Sequence, residues 1–258
     1  MSPLKQLLSL RLSAAERAVQ KKAVIFSLKT IRYVLAASPD CVVHQMYSTR
    51  ELPNDISRVA FPTSIVSSDF ILRASGLQTV DGDDACAAVI EIPESPPLES
   101  FFNAERLIIL DNVRDPGNLG TILRTCASFG WRALLSTGCV CPYNDKVLRS
   151  GVGASFTAVW KSGVGIAQLV SGLGVGSGRS LNCLALSSSE RDIKSVAASE
   201  YSRVRLVVGS EACGLDEAWS RVESTPAKHV VSVRVGPGGF KGVLNVGVAS
   251  ACAMLVLQ

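Results

Sequence analysis

Residues 107–130 read LIILDNVRDPGNLGTILRTCASFG, and this stretch decides the fold. Its first four residues have the length and branching of a buried strand. The segment Asp115-Pro116-Gly117-Asn118 has turn chemistry, because proline fixes φ and because glycine and asparagine tolerate positive φ. We expect Asn118 to cap the helix that follows and Gly130 to end it. The stretch therefore predicts a strand, a tight turn and an amphipathic helix.

A turn of this kind lies where open α/β sheets bind their ligands, at the carboxyl end of a strand with a helix amino terminus behind it. Arg124 would lie about two turns into the helix. A cation and several polar groups at such a position suit an anionic substrate. The stretch therefore also predicts a binding site.

The composition is that of a well-buried globular protein. The chain has 258 residues, of which 47% are hydrophobic and 19% charged. No apolar run approaches the roughly 18 residues that a membrane span needs, so we expect no membrane partner. The net charge of +4 is a weak indication of nucleic acid. The 8 cysteines form no C-x-x-C pair, which favours buried free thiols in a reducing compartment over a metal site.

A proline-rich break divides the chain into two parts. Residues 1–94 alternate short helical and strand patterns, residues 95–104 are predicted as a linker, and residues 105–258 form the second domain. In that domain, short apolar strands separated by helices predict a mostly parallel sheet covered on both faces. The predicted strands lie at 107–110, 132–136, 156–160, 182–186, 205–209 and 230–235, and an apolar, buried helix ends the chain.

Three segments of the second domain together resemble the SpoU/TrmH group of the SPOUT methyltransferases. This group transfers a methyl group from S-adenosylmethionine to a ribose 2′-hydroxyl of RNA. The opening stretch is similar to the first motif of the group, residues 206–215 (LVVGSEACGL) to the second, and residues 235–249, with Leu244-Asn245-Val246, to the third. The segments follow the order of the group, and the resemblance covers residues 105–258.

The resemblance implies an α/β fold with a deep trefoil knot in the C-terminal SPOUT domain and a smaller N-terminal α/β RNA-binding domain, which is ribosomal-protein-like. It implies S-adenosyl-L-methionine as cofactor and large-subunit ribosomal RNA or a pre-ribosome as partner. It also implies a homodimer or a heterodimer with a related methyltransferase. The cofactor contacts of the group map onto Gly209, Val235 and Leu244, although simple core packing would preserve the last two equally well.

The resemblance also suggests an RNA contact surface in residues 1–94. A basic helix over residues 11–29 would present Arg17, Lys21, Lys22 and Lys29 to RNA phosphates, and a solvated helix face is the alternative for these charges. Residues 1–17 are basic, serine-rich and free of acid until Glu16, which fits either an organellar targeting peptide or a mature amphipathic helix. The start of the chain favours a mitochondrial location, with another organelle or the cytoplasm as alternatives.

The catalytic residues implied by the resemblance are Arg124, Asn118, Glu211 and Asn245. Arg124 would orient the target hydroxyl and stabilise the neighbouring phosphate, because a guanidinium is a poor base. Asn118 would hold substrate or brace its loop, and Asn245 would form a hydrogen bond near the reacting ribose. Glu211 would orient Arg124 or the cofactor loop, with a structural salt bridge as its alternative role.

The third motif departs from the pattern of the group. Val243 stands where a serine is expected, and a valine cannot donate a hydrogen bond. Gly236-Pro237 replaces Pro-Met, and Gly247 replaces a second serine. Two functions therefore stay open. One is an RNA 2′-O-ribose methyltransferase that acts on large-subunit ribosomal RNA during ribosome assembly. The other is a catalytically impaired assembly factor that binds ribosomal RNA and pairs with an active homologue.

Overall fold

The computed structural model of the chain describes residues 2–57, 61–80, 82, 85–172, 182–186, 192–195, 203–210, 214–215, 219, 230–233, 235 and 244–258. The chain divides into two compact units. Unit 1 comprises Met1–Glu94 and Cys141–Thr157, and unit 2 comprises Ser95–Val140 and Ala158–Gln258. The sequence prediction assigned all of 105–258 to one domain, whereas Cys141–Thr157 cluster with unit 1.

The elements of the described residues are, in chain order, α1 (Pro3–Leu12), α2 (Ala14–Gln20), β1 (Lys22–Phe26), α3 (Leu28–Ala37), β2 (Val43–Ser48), α4 (Asn54–Ser57), β3 (Thr63–Ile65), α5 (Ser68–Ser75), β4 (Cys86–Glu91), α6 (Leu98–Phe102), β5 (Arg106–Leu110), α7 (Pro116–Phe129), β6 (Arg132–Ser136), α8 (Asp145–Ser150), β7 (Trp160–Val164), α9 (Ile166–Gly172), β8 (Asn182–Leu186), β9 (Val204–Val208), β10 (Val230–Val233) and α10 (Val246–Val256). Short 3₁₀ turns cover Ala154–Phe156 and Ile193–Ser195.

Unit 1 is built on a four-stranded mixed sheet with the order β1-β4-β2-β3. Helix α1 buries Leu7 and Leu10 in the core of this unit, together with Val24 and Phe26 of β1. Residues 11–29 therefore do not form the single basic helix that we predicted. Strand β1 interrupts this segment because its residues pair with β4, and its alternate residues Val24 and Phe26 fill the core. The amphipathic pattern in the sequence comes from two short helices on either side of a strand.

Unit 2 contains a six-stranded sheet with the order β10-β8-β9-β5-β6-β7, and all of its neighbouring strands are parallel. This confirms the predicted α/β class with a mostly parallel sheet. The predicted strand at 156–160 is wrong, because residues 154–156 form a 3₁₀ turn and β7 begins at Trp160. Part of the predicted linker is folded, since α6 places Phe101 in the core of unit 2.

The helix that follows the opening stretch begins one turn earlier than predicted. Asp115 caps α7, since its side chain accepts a hydrogen bond from the Asn118 N–H at 2.8 Å, and Pro116 occupies the first helical position. The prediction that Asn118 is the cap is therefore wrong, because an N-cap must precede the first residue with helical φ and ψ. Gly130 ends the helix with a φ of +70°, as predicted.

No helix in the described ranges is long and apolar enough to cross a membrane. Six cysteines are free: Cys86 and Cys126 are buried, and Cys41, Cys139, Cys141 and Cys252 are partly exposed. The side chains of the described residues form no cluster with the composition of a metal site.

Candidate active site

The strands of unit 2 end together at one edge of the sheet, which we call the carboxyl edge. In the strand register, Leu110 of β5 lies beside Val208 of β9, and Leu186 of β8 lies beside both Val208 and Val233 of β10. Because these strands are parallel, the loops that follow β5, β9 and β10 all leave from this edge. The edge therefore brings the three sequence motifs into one region.

The loop after β5 is held by hydrogen bonds on both sides. The buried Asp111 continues the strand pairing through its N–H, which donates to the Val208 carbonyl at 2.8 Å. Asn112 has a φ of +56°, and its side-chain amide donates to Asp111 at 2.9 Å. The N–H of Asn112 donates to the Ser136 hydroxyl at 3.0 Å. Gly138 fits against Asn112, because a Cβ at Gly138 would lie 1.7 Å from the Asn112 side-chain oxygen.

Asn118 and Asn245 meet although they are 127 residues apart in the sequence. The Nδ2 of Asn245 donates to the Oδ1 of Asn118 at 2.8 Å. Asn245 also caps α10, since its Oδ1 accepts hydrogen bonds from the N–H groups of Gly247 and Val248 at 3.0 and 3.2 Å. One side chain therefore both caps α10 and joins the first motif to the third.

Helices α7 and α10 pack in parallel, so both amino termini point to the same side. Besides the asparagine pair, a Cβ at Gly247 would lie 3.4 Å from Thr121, and Cys126 contacts Met254 with 3.9 Å between the sulfurs. The contacts advance together along both helices. Parallel helix dipoles that end at one place favour an anion there.

Arg124 lies on the outer face of α7 and is exposed. Within the described part of the chain, no hydrogen bond or ion pair engages its guanidinium. The hydroxyl groups of Thr121, Thr125 and Ser128 on the same helix each bond to the backbone carbonyl four residues earlier. The outer face of α7 therefore presents one cation whose donors are available to a phosphate or a ribose oxygen.

The loop after β9 closes tightly on itself. Ser210 and Gly214 exchange backbone hydrogen bonds of 3.0 and 2.9 Å, and Gly214 has a φ of +68°. A Cβ at Gly209 would lie 2.3 Å from the carbonyl carbon and oxygen of Gly214, so only glycine fits there. Glu211 lies outside the described residues, and its predicted role stays a prediction.

The other two predicted cofactor residues lie near the same edge. Val235 follows β10 and is half-buried, whereas Leu244 directly precedes Asn245 and is 41% exposed. Val243 and Gly236-Pro237 lie outside the described residues, and the trefoil knot stays a prediction. The final helix exists, but it is not buried on all sides, because Val248 and Leu255 are exposed.

Of the four RNA contacts predicted in unit 1, the one at Arg17 is wrong. Its side chain is only 3% exposed, and its guanidinium donates to the carbonyls of Leu10 and Arg11 at 2.7 and 2.9 Å. Arg17 therefore joins α2 to the end of α1 and is not available to RNA. Lys21 and Lys29 are exposed, and Lys22 is half-buried opposite Glu91 in the strand register.

Two cysteine thiols are buried to different extents in the interior beside the site. Burial raises the pKa of the Cys126 thiol to about 12. Burial also raises the pKa of Cys139, whose Sγ donates to the Leu110 carbonyl at 3.2 Å. These thiols are protonated at neutral pH and act as packing groups and weak donors. The polar chemistry of the site therefore belongs to the asparagines and arginines of its outer surface.

Sequence reasoning missed Ser136 and Cys139, which brace the first loop, and Arg114, an exposed residue within that loop. A polar residue directly after an apolar strand was the available signal for Ser136. Arg114 stands inside the opening stretch, but its exposure became visible only with the structure.

Comparison with known sequences decides the family. Residues 105–255, more than half of the chain, match the SpoU rRNA Methylase family. The chain belongs to this family. Relatives of this SpoU chain include "rRNA methyltransferase 3, mitochondrial" of Homo sapiens, 59% identical over 51 residues, which are 19% of the chain and 12% of the relative. Another is "rRNA methyltransferase 3A, mitochondrial" of Danio rerio, 40% identical over 128 residues, which are 46% of the chain and 28% of the relative.

Solved structures of SpoU proteins share the fold. The SpoU methyltransferase AviRb from Streptomyces viridochromogenes, crystallised with the cofactor AdoMet, superposes with a TM-score of 0.79 at 16% identity. The superposition covers 100% of this SpoU chain and 97% of AviRb. The α/β architecture of the chain is therefore that of a SpoU methyltransferase.

Proposed function

We propose that the chain is an S-adenosyl-L-methionine-dependent RNA 2′-O-ribose methyltransferase that acts on large-subunit ribosomal RNA during ribosome assembly. The observation that carries this proposal is the hydrogen bond between Asn118 and Asn245, at the start of the helix that carries the exposed Arg124. It joins two of the three SpoU motifs at the carboxyl edge. The names of the relatives support ribosomal RNA as the substrate.

Methyl transfer to a ribose hydroxyl requires an in-line arrangement of the 2′-oxygen, the methyl carbon and the sulfur, and the hydroxyl must lose its proton. Arg124 would hold the phosphate beside the target ribose and stabilise the oxygen as negative charge develops on it. Asn118, braced by Asn245, would fix the ribose. The proton would leave to the RNA phosphate or to water, because a guanidinium does not accept protons.

The residues at the carboxyl edge fit the proposed cofactor. Gly209 brings backbone close to backbone, Val235 is half-buried, and Leu244 leaves an apolar side chain exposed beside the start of α10. Backbone groups and apolar side chains of this kind suit an adenosine-containing ligand. When bound, S-adenosylmethionine supplies an electrophilic methyl group. The role of the chain is to hold that methyl group opposite the ribose oxygen and to exclude water.

A dimer is part of the proposal. Val248 and Leu255 of α10 are 49% and 60% exposed, and with the half-buried Cys252 they follow one another at helical spacing on one face. An apolar stripe of this kind suits a second methyltransferase subunit, identical or related. Analytical ultracentrifugation of wild type and of Leu255→Glu would test the dimer. A monomeric wild type would contradict the homodimer, and the heterodimer would then be the form left to the proposal.

We also propose a mitochondrial location, which the names of the human and zebrafish relatives support. The proposal does not depend on α1, because Leu7 and Leu10 pack this helix into the core of unit 1. Imaging of the tagged full chain tests it, and exclusion from mitochondria would contradict it.

A second function is favoured by one feature of the sequence, the valine at position 243 in place of the usual serine. In this alternative, the chain is a catalytically impaired assembly factor that binds ribosomal RNA and pairs with an active homologue. The asparagine pair and Arg124 would then serve RNA binding without methyl transfer.

Methyl transfer from radiolabelled S-adenosylmethionine to in vitro transcribed large-subunit ribosomal RNA separates the two functions. The enzyme should incorporate label, and nucleoside digestion should place the methyl group on a ribose. RNA binding without incorporation would support the assembly factor and contradict the enzyme. The variant Val243→Ser tests the same point. If wild type is inactive and this variant transfers methyl groups, the valine at position 243 is the cause of the impairment.

A further inference from the structure

Arg114 lies in a loop that is fixed by hydrogen bonds on both sides of this residue. On its amino-terminal side, Val113 is fully buried, and its carbonyl accepts a hydrogen bond from the Val140 N–H at 3.0 Å. On its other side, Asp115 caps α7 through the Asn118 N–H. Both neighbours are fixed, so the loop needs little further ordering when it binds a ligand.

The guanidinium of Arg114 is exposed, and no described residue forms a hydrogen bond or an ion pair with it. The adjacent acid, Asp115, directs its Oδ1 to a backbone N–H, and the buried Asp111 accepts from Asn112. The nearby carboxylates are therefore engaged in holding the loop. An arginine whose five donors face solvent can bind a phosphate through two parallel hydrogen bonds.

Three other arginines of unit 2 have a different use. They lie at the opposite edge of the same sheet, which we call the amino edge, and each donates a hydrogen bond to a backbone carbonyl. Arg106 donates to Gln258 at 2.7 Å, Arg132 to Ser100 at 2.9 Å and Arg205 to Phe102 at 2.9 Å. The side chain of Arg114 lacks such a partner among the described residues. Its loop leads into the amino terminus of α7, where Asn118 meets Asn245, and this position at the meeting of two motifs points to a ligand.

We propose that Arg114 binds a phosphate of the RNA backbone next to the target nucleotide, as a second cation that works with Arg124. The proposal rests on the proposed function, because it assumes that RNA is the ligand at this edge. Arg124 acts at the reacting ribose, and Arg114 positions the strand that carries it. Arg114 is thus a positioning residue, and its loss weakens RNA binding more than it slows the bound complex.

RNA binding of four full-length proteins tests this inference: wild type, Arg114→Ala, Arg114→Lys and Arg203→Ala. Arg203 is the matched control, since it is an exposed arginine directly before β9 at the amino edge. The probe is in vitro transcribed large-subunit ribosomal RNA, titrated by fluorescence anisotropy over a series of salt concentrations. Calorimetric titration with S-adenosylmethionine and thermal melting check that the variants stay folded.

Loss of one phosphate contact should lower the slope of log K against log salt by about one and weaken binding about tenfold in Arg114→Ala. Arg114→Lys should recover part of the affinity, because it keeps the charge but not the bidentate geometry. Arg203→Ala should bind RNA as wild type does. In methyl transfer, Arg114→Ala should raise KM for RNA with little change in kcat.

Equal RNA affinities for wild type and Arg114→Ala would overturn the proposal. Equal losses in Arg114→Ala and Arg203→Ala would overturn it too, because they would indicate general electrostatic attraction. If wild type itself does not bind the RNA, the proposed function fails, and the assignment of Arg114 fails with it. Inorganic phosphate could also displace the RNA by more than its ionic strength explains. That result would indicate that Arg114 binds free phosphate and would contradict the RNA contact.

Discussion

The two edges of the parallel sheet in unit 2 use the same polar residue types differently. At the amino edge, buried or half-buried arginines donate to backbone carbonyls and hold α6 and the chain end against the strands. At the carboxyl edge, Arg114 is exposed, asparagines and an aspartate shape the loops, and α7, which begins there, carries the exposed Arg124. The amino edge thus serves stability, and the carboxyl edge serves binding and chemistry. This division follows the general rule for open α/β sheets.

The largest effect is expected at Gly209 on the carboxyl edge. An alanine there would place its Cβ 2.3 Å from the Gly214 carbonyl, and a backbone obstacle cannot rotate away. Gly209→Ala should cost about 3 kcal/mol or more in the free energy of unfolding and remove S-adenosylmethionine binding. Gly165→Ala is the control, because its nearest contact would be an ordinary 3.6 Å. Denaturant titration gives the free energy of unfolding, and calorimetry gives the affinity for S-adenosylmethionine. Normal cofactor binding by Gly209→Ala would contradict the assignment of this loop to the cofactor site.

Arg205 at the amino edge should matter for stability alone. It is fully buried and donates to the carbonyls of Phe102, Val204 and Glu105. Arg205→Met should lower the free energy of unfolding by about 2–3 kcal/mol, because it leaves buried carbonyls without donors. The exposed Arg203→Met should change it by less than about 0.5 kcal/mol. If Arg205→Met lost methyl transfer at temperatures where it is folded, the division between the edges would be wrong.

Two substitutions of Asn245 can separate its role in helix capping from its role in the asparagine pair. Asn245→Asp keeps an acceptor for the N–H groups of Gly247 and Val248 but loses the donor to Asn118. Asn245→Ala loses both. We expect Asn245→Ala to be less stable by about 1 kcal/mol and Asn245→Asp to be as stable as wild type. Both should be impaired in methyl transfer. An active Asn245→Asp would show that the asparagine pair is not part of the site.

Cys126 tests whether the inner face of α7 is dry. Burial raises the pKa of its thiol from 9.0 to about 12, so the folded state resists deprotonation more than the unfolded state does. The stability that this protonated thiol contributes is present below about pH 9 and is lost as the pH rises towards 12. The stability advantage of wild type over Cys126→Ser should therefore shrink by roughly 1 kcal/mol per pH unit above pH 9. A constant difference up to pH 11 would mean that water reaches this face.

Much of the sheet of unit 2 could be predicted from the sequence, because its buried strands are short apolar runs between turn residues. Strands β6 and β8 have the predicted bounds. The start of α7 was also readable, since Pro116 at the first helical position points to Asp115 as the cap. Our choice of Asn118 overlooked that signal.

Other features depend on tertiary contacts that local patterns do not contain. Strand β1 forms because β4 pairs with it, and Arg17 is buried because the end of α1 offers two carbonyls. Nothing local shows that Cys141–Thr157 cluster with unit 1. In the site, the residue types were predictable from the motifs, but the hydrogen bond between the side chains of Asn118 and Asn245 was not.

The central claim is that the carboxyl edge carries the chemistry, together with Arg124 on the helix that begins there. The most direct measurement compares the rate of methyl transfer to large-subunit ribosomal RNA by wild type, Arg124→Ala and Arg203→Ala, at saturating S-adenosylmethionine. Both variants remove one exposed arginine from unit 2, one on α7 and one directly before β9. The account predicts a loss of about 100-fold or more in kcat for Arg124→Ala, with no change in melting temperature, and wild-type rates for Arg203→Ala. Equal rates for the two variants would contradict it.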